Sequence, residues 1–172
     1  MAVVIREEIM IETIQIFLTQ FPPSLATVLL AALPITELRL AIPIAIHEWL
    51  LNPFSALGWA LIGNFLPFFP LYYGLGALRR LSERYTPWFT RVIDASVDRA
   101  ENRVKEKYAR YGAFALFLFT ALPLPLTGLY TATLAAVALK VPVKYALIGV
   151  TSGILVAGII VTLLSVNVAT FF

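Results

Sequence analysis

Apolar residues run almost unbroken along this chain, and the polar residues and prolines that interrupt them mark out its elements. Over residues 1–20, Val3, Val4, Ile5, Ile9, Ile11, Ile14, Phe17 and Leu18 are mixed with Arg6, Glu7, Glu8 and Glu12. That is too much charge to cross a bilayer and suits an amphipathic helix lying in the interface. Phe21-Pro22-Pro23 ends it. In residues 24–51 the run Ala32–Ile46 is otherwise apolar but places the charges Glu37 and Arg39 between Pro34 and Pro43. Each proline removes a backbone donor and crowds the turn before it, so an unbroken helix is disfavoured. A charge at membrane depth costs about 2.5–3.5 kcal/mol on insertion scales and is read as functional by default. The pattern predicts a re-entrant hairpin with Glu37 and Arg39 at its tip. The alternative is one tilted helix over 24–46, which would separate the two charges, since positions i and i+2 do not face each other. His47-Glu48-Trp49 closes the segment as an interfacial anchor.

Residues 54–78 read as a transmembrane span. Asn64, Pro67 and Pro70 interrupt it, either as a plain kink or as a lining of the cavity that holds Glu37. Over 79–110, Thr86-Pro87 starts a helix whose apolar stripe (Phe89, Val97, Ala100, Val104, Tyr108) is interleaved with Arg and Lys. This is a basic amphipathic helix, suited to anionic headgroups. Residues 112–139 carry no charge and are broken by Pro123, Pro125 and Gly128. They predict a second re-entrant hairpin, with Thr127, Tyr130 and Thr131 as the polar groups of its tip. Residues 144–166 form the last span, in which Gly149 and Gly153 allow another helix to approach closely.

The two hairpin segments are related. Sliding the chain by 89 residues superposes Ala32-Leu33-Pro34 on Ala121-Leu122-Pro123, and also matches Leu40, Leu50 and Pro53 with Leu129, Leu139 and Pro142. Each copy is a proline-broken apolar stretch followed by a span, so the copies would lie inverted in the membrane. The expected fold class is an all-α integral membrane protein: one domain over 1–172, an inverted repeat of re-entrant hairpin plus transmembrane helix, with interfacial amphipathic helices. Charge agrees with this topology. Nine of the thirteen Lys and Arg lie in 79–110, and Lys140 and Lys144 would join them on the same side. That side is cytoplasmic by the positive-inside rule. The expected location is the inner membrane, crossed more than once.

Composition narrows the function. The chain is 60% hydrophobic and 13% charged, with a mean hydropathy of +0.86, against about 25% charged for soluble domains. It has no cysteine and one histidine, which leaves no thiol chemistry and little material for a metal centre. No nucleophile–base pair, HExxH or paired-acid motif is present. An enzyme, a metal site and a cofactor are therefore not expected. Nucleic acid is not an expected partner either, because the basic charge belongs to one amphipathic segment.

The stretch Glu37-Leu38-Arg39 with Ala41-Ile42-Pro43, the stretch from Leu122 to Gly128, and the last helix with Gly149 to Gly153 resemble the small multidrug export protein family. That family is related to the DedA (SNARE-associated, or VTT) membrane proteins. The resemblance implies two re-entrant hairpins meeting mid-membrane with substrate between them, and Thr36–Arg39 close to Leu126–Tyr130. DedA-type proteins imply transport of a lipid or lipid-linked anion such as polyprenyl phosphate. One departure stands out: DedA members usually carry arginines in the second hairpin, and residues 112–139 have none. The leading expectation is an ion-coupled translocase of a lipid or lipid-linked anion. Arg39 would bind the headgroup, Glu37 would take up a proton, and Asn64, Thr127, Tyr130 and Thr131 would line the path. Partners are membrane lipids and protons, with a homo-oligomer an open alternative. Competing readings are an exporter of small amphipathic cations, which Glu37 would serve, and a non-transporting scaffold in which Glu37–Arg39 is structural and Gly149/Gly153 mark a partner surface.

Overall fold

A computed structural model describes residues 10–11, 13–85, 105–122 and 128–171. Most of the interfacial N-terminus, the middle of the basic segment, and Pro123, Pro125 and Thr127 of the second hairpin tip therefore lie outside the described residues. The described residues form seven named helices and no strand: α1 (Pro23–Ala31), α2 (Glu37–His47), α3 (Pro53–Phe65), α4 (Phe68–Tyr85), α5 (Lys105–Ala121), α6 (Leu129–Ala138) and α7 (Val143–Phe171). Helical turns at 13–18 precede α1. The described residues are all-helical, and among them two stretches, Pro53–Leu75 and Val143–Asn167, are long and apolar enough to cross a membrane.

Contacts divide the chain into two units. The first contains residues up to Leu66 together with Gly158–Phe172. In it, α1, α2 and α3 pack on one another. At 1.5 Å per residue, the nine residues of α1 and eleven of α2 extend only about 13 and 16 Å, roughly half of a 30 Å hydrocarbon core. The break between them falls at 32–36, around Pro34. Pro43 differs from its expected role. It lies inside α2, which continues past it to His47. Its ring removes one hydrogen bond, the one that would reach the Arg39 carbonyl, without ending the helix. On α2 the buried positions are Leu38, Ala41, Ile42 and Ala45, and on α3 Ala56, Ala60, Gly63 and Asn64. Both sets recur at three- and four-residue steps, so each helix buries one face.

The second unit is Pro67–Ala157, where α6 packs on both α4 and α5. Leu129, Ala132, Thr133, Ala136 and Val137 form the buried face of α6. The helix ends in a Schellman turn: Lys140 N–H reaches the Val137 carbonyl (3.2 Å) and Val141 N–H the Ala136 carbonyl (2.9 Å). Lys140 takes the left-handed position, with φ 52°, that glycine usually occupies. The Tyr72 hydroxyl on α4 then donates to the Val141 carbonyl at 2.7 Å, pinning the link into α7. A similar exit follows α2, where Leu50 has φ 52° and Asn52 caps α3 by accepting from the Phe54 N–H at 3.0 Å. Both short helices thus end in a left-handed residue that precedes an X-Pro step.

Many large side chains point outward, and small ones recur on the inner faces. Phe54, Leu66, Phe114, Leu118, Ile148, Leu155 and Leu163 are exposed, whereas Ala56, Ala60, Ala132, Ala136, Ala146 and Ala157 are buried. Small inner faces that let backbones meet are the packing mode of helices in lipid. A Cβ on Gly63 would collide with the Val28 carbonyl on α1, and one on Gly149 with the Ala113 carbonyl on α5. Gly63→Ala and Gly149→Ala should therefore each destabilise the protein by about 1–3 kcal/mol through overpacking. Gly58→Ala should instead be neutral or gain up to about 1 kcal/mol, because nothing lies within 4 Å of the new methyl and a helix interior prefers alanine. Melting of the three variants in one detergent checks the contrast; equal behaviour would contradict the close crossings.

Candidate functional site

The break between α1 and α2 concentrates the polar groups of the first unit. Ala32 N–H returns to the Val28 carbonyl (3.0 Å) and Leu33 N–H to that of Leu30 (3.3 Å), so α1 closes on itself. Thr36, 1% exposed, turns its hydroxyl back to donate to the Leu30 carbonyl. Glu37 N–H then reaches the Leu33 carbonyl at 3.0 Å. These bonds engage the N–H groups of Ala32, Leu33 and Glu37 where the chain turns from α1 into α2.

Glu37 pays conformationally for its place. It has φ 46°, a left-handed value that for a residue with a Cβ costs roughly 1–2 kcal/mol. It is also buried, at 8% exposure. A carboxylate at the first residue of a helix faces the positive end of the helix dipole, which favours it. Arg39, two residues on and half-buried, feels the Glu37 charge. The strained backbone and first-turn position place both charges at the tip. Of the two, the guanidinium is the more accessible. Strain held at a charged, buried turn is the kind that marks functional sites.

Asn64 lies in the same unit, on the buried face of α3 at 1% exposure. Its Oδ1 has no hydrogen-bond partner among the described residues. In the second unit the expected polar groups are arranged differently. Gly128 N–H donates to the Thr131 hydroxyl at 3.1 Å, capping α6. Tyr130 is half-buried beside it. Gly149 and Gly153 face Ala113, Phe117 and Thr120 of α5, so the face assigned to a partner in the scaffold reading is already taken by a helix of the same chain. Among the described residues no three of His, Cys, Asp and Glu gather to hold a metal.

Two contributors escaped the sequence reading of single residues. The Thr36 hydroxyl closes the turn, and Gly63 seats α3 against α1. A buried threonine next to a proline-broken run was the available signal for the first. For Gly63 there was none beyond its being a glycine in a span.

Comparison with known proteins gives one match. A family described as "Putative small multi-drug export protein" matches residues 37–160, which include Glu37, Arg39, Asn64 and all of the second unit's polar groups. No curated protein and no solved structure matches.

The left-handed backbone at Glu37 can be read apart from its charge. Glu37→Gly and Glu37→Ala both remove the carboxylate, but only glycine is indifferent to the sign of φ. The glycine variant should be more stable than the alanine variant by about 1 kcal/mol, the reverse of the order expected inside a regular helix. Alanine at or above glycine in thermal melts would show that the turn does not hold Glu37 in this conformation.

Proposed function

The chain belongs to the small multi-drug export protein family, and from that membership we propose that it is an ion-coupled exporter whose substrate is an amphiphilic anion, a lipid or lipid-linked phosphate. The chemistry is carried by the first hairpin tip. One observation supports an anion over a cation: Glu37 is buried while Arg39 is only partly buried at the same turn. The charge offered to a ligand is then positive. It stands in the first turn of α2, where the helix dipole also favours an anion. A guanidinium can grip a phosphate with two parallel hydrogen bonds. When an anion occupies Arg39, the Glu37 carboxylate loses its counter-charge and recruits a cation in its place. Binding and release of the anion are thereby coupled to uptake and loss of a positive ion. This is a transport cycle with no bond made or broken, in keeping with a non-enzymatic role.

The segments 24–78 and 112–166 would be inverted copies in the inner membrane, each a proline-broken apolar stretch followed by a span that is entered through a left-handed residue (Leu50, Lys140) and a proline. In such transporters, half-helix ends meet ligands near the midplane. The segment 79–110 would lie at the cytoplasmic face and gather anionic lipid. The second reading, export of small amphipathic cations, is compatible with the family's description, which names multi-drug export; in it Glu37 is the binding group and Arg39 its resting partner.

Two experiments separate these readings. In proteoliposomes with fluorescent anionic and cationic amphiphiles, Arg39→Ala should reduce anion transport at least tenfold, and Glu37→Gln should retain anion binding while abolishing its dependence on the ion gradient. Loss of cation transport in Glu37→Gln, with anions untouched by Arg39→Ala, would favour the second reading instead. Topology is checked with single cysteines at Asn52, Ser96 and Thr170 and an impermeant thiol reagent, which is clean because the chain has no cysteine. Ser96 should label from the cytoplasmic side and the other two from outside. Labelling of Asn52 and Ser96 from one side would refute the inverted arrangement.

A further inference from the structure

The cation recruited at the hairpin tip needs a seat, and the first unit contains one set of oxygens suited to hold it. The α1–α2 and α2–α3 connections are short, and the three helices pack on one another, so α2 runs antiparallel to α1 and α3. Along these axes Glu37 lies about 15 Å from the far end of α2, and Asn64 about 17 Å from the start of α3, by the rise per residue. The two residues are thus at one level. Gly63 ties that level to α1, because its backbone lies against the Val28 carbonyl, less than one turn before the tip.

The ends of α1 and α3 differ at this level. The terminal carbonyls of α1 at Val28 and Leu30 are engaged by Ala32, Leu33 and Thr36. At the end of α3, Leu66 N–H returns to the Ile62 carbonyl (3.1 Å). The next carbonyl, that of Gly63, would take its bond from residue 67, which is a proline and has no N–H. Beside it stands Asn64 with its Oδ1 buried and without a hydrogen-bond partner among the described residues. Carbonyls at a helix C-terminus also carry the negative end of the dipole, which favours a cation. A buried acceptor without a donor is costly, and in native structures such groups are usually explained by a water, an ion or a functional role.

We propose that the Asn64 Oδ1, the Gly63 carbonyl and the Glu37 carboxylate form a binding site for a monovalent metal cation, sodium in the first instance, at the level of the first hairpin tip. The donor set decides the class of ion. Two neutral oxygens and one carboxylate, with Arg39 close by, suit a singly charged hard cation; calcium draws on more carboxylates and six to eight oxygens. Zinc would need histidine or cysteine, and neither is near. The arrangement separates the two ligands by helix polarity. The N-terminal end of α2 with Arg39 faces the anion, and the C-terminal end of α3 with Asn64 faces the cation. This deepens the coupling reading above by giving the exchanged cation a location; the Asn64 and Gly63 oxygens do not depend on what holds Arg39, so sodium is expected to bind, more weakly, without a transported substrate, and the test needs none.

The test is thermal unfolding of the full-length chain in detergent, titrated with sodium chloride against choline chloride at constant ionic strength. Wild-type protein should show a saturable rise in melting temperature with sodium, as ligand binding to the folded state requires. Asn64→Leu should lose that rise. It should nevertheless melt at or above wild type in choline chloride, because it removes a buried acceptor that lacks a donor, so a folding failure is not the expected result. Asn64→Asp, which keeps an oxygen at the same place, should retain the sodium response. A wild type indifferent to sodium, or an Asn64→Leu variant that keeps the full response, overturns the proposal. Loss of anion transport in Arg39→Ala with the sodium response intact would leave the cation site standing by itself, and failure of the sodium response alone would leave the anion reading standing.

Discussion

An apolar surround gives a broken helix no water to satisfy its ends, and this constraint shapes both units. Each interruption of a helix frees carbonyls and N–H groups that cost several kcal/mol apiece in hydrocarbon. The chain meets this locally at nearly every break. Thr36 and Leu33 engage the Leu30 carbonyl, Glu37 N–H reaches Leu33, Lys140 and Val141 close α6, and Tyr72 reaches across from α4 to Val141. Even the hydroxyls of Thr27, Thr120, Thr133 and Ser165 donate to carbonyls one turn back in their own helices. Polar atoms are thereby hidden, which makes the exceptions informative.

The second constraint follows from the first. Short helices of nine to eleven residues bury little surface, so they must approach closely to be held. Alanine and glycine on the inner faces supply that approach, at Gly63 against Val28 and at Gly149 against Ala113. Both contacts join a long helix to the short or outer helix that precedes the hairpin break. The same local solution has thus been used twice, 86 residues apart in α3 and α7, near the 89-residue shift at which the two segments match.

The helical class, the long apolar stretches and the polar character of the first tip were legible because proline and charge are rare in this chain and therefore conspicuous. Glu37 and Arg39 stand alone in their run, and the family match begins at Glu37 itself. Other features were not legible. Pro43 looks like Pro34 in the sequence, but a proline within a packed helix costs one hydrogen bond and a local bend, which tertiary contacts on Ala41, Ile42 and Ala45 can outweigh. The left-handed turns at Leu50 and Lys140 had no glycine to announce them. They stop each helix two or three residues before a proline, whose preceding residue (Asn52, Val141) disfavours the helical region.

The polar groups of the two units are put to different uses. In the second, the Thr131 hydroxyl is used to cap α6 and Thr133 is tied to the Leu129 carbonyl at 2.6 Å. Their polar atoms serve the fold and are withdrawn from a ligand. In the first, the tip carries a strained, buried carboxylate, an accessible guanidinium and, at the same level, an amide oxygen that lacks a donor among the described residues. Glycine at position 37 would relieve the left-handed backbone without cost. A glutamate there is explained if the carboxylate, and not the turn, is what the position supplies.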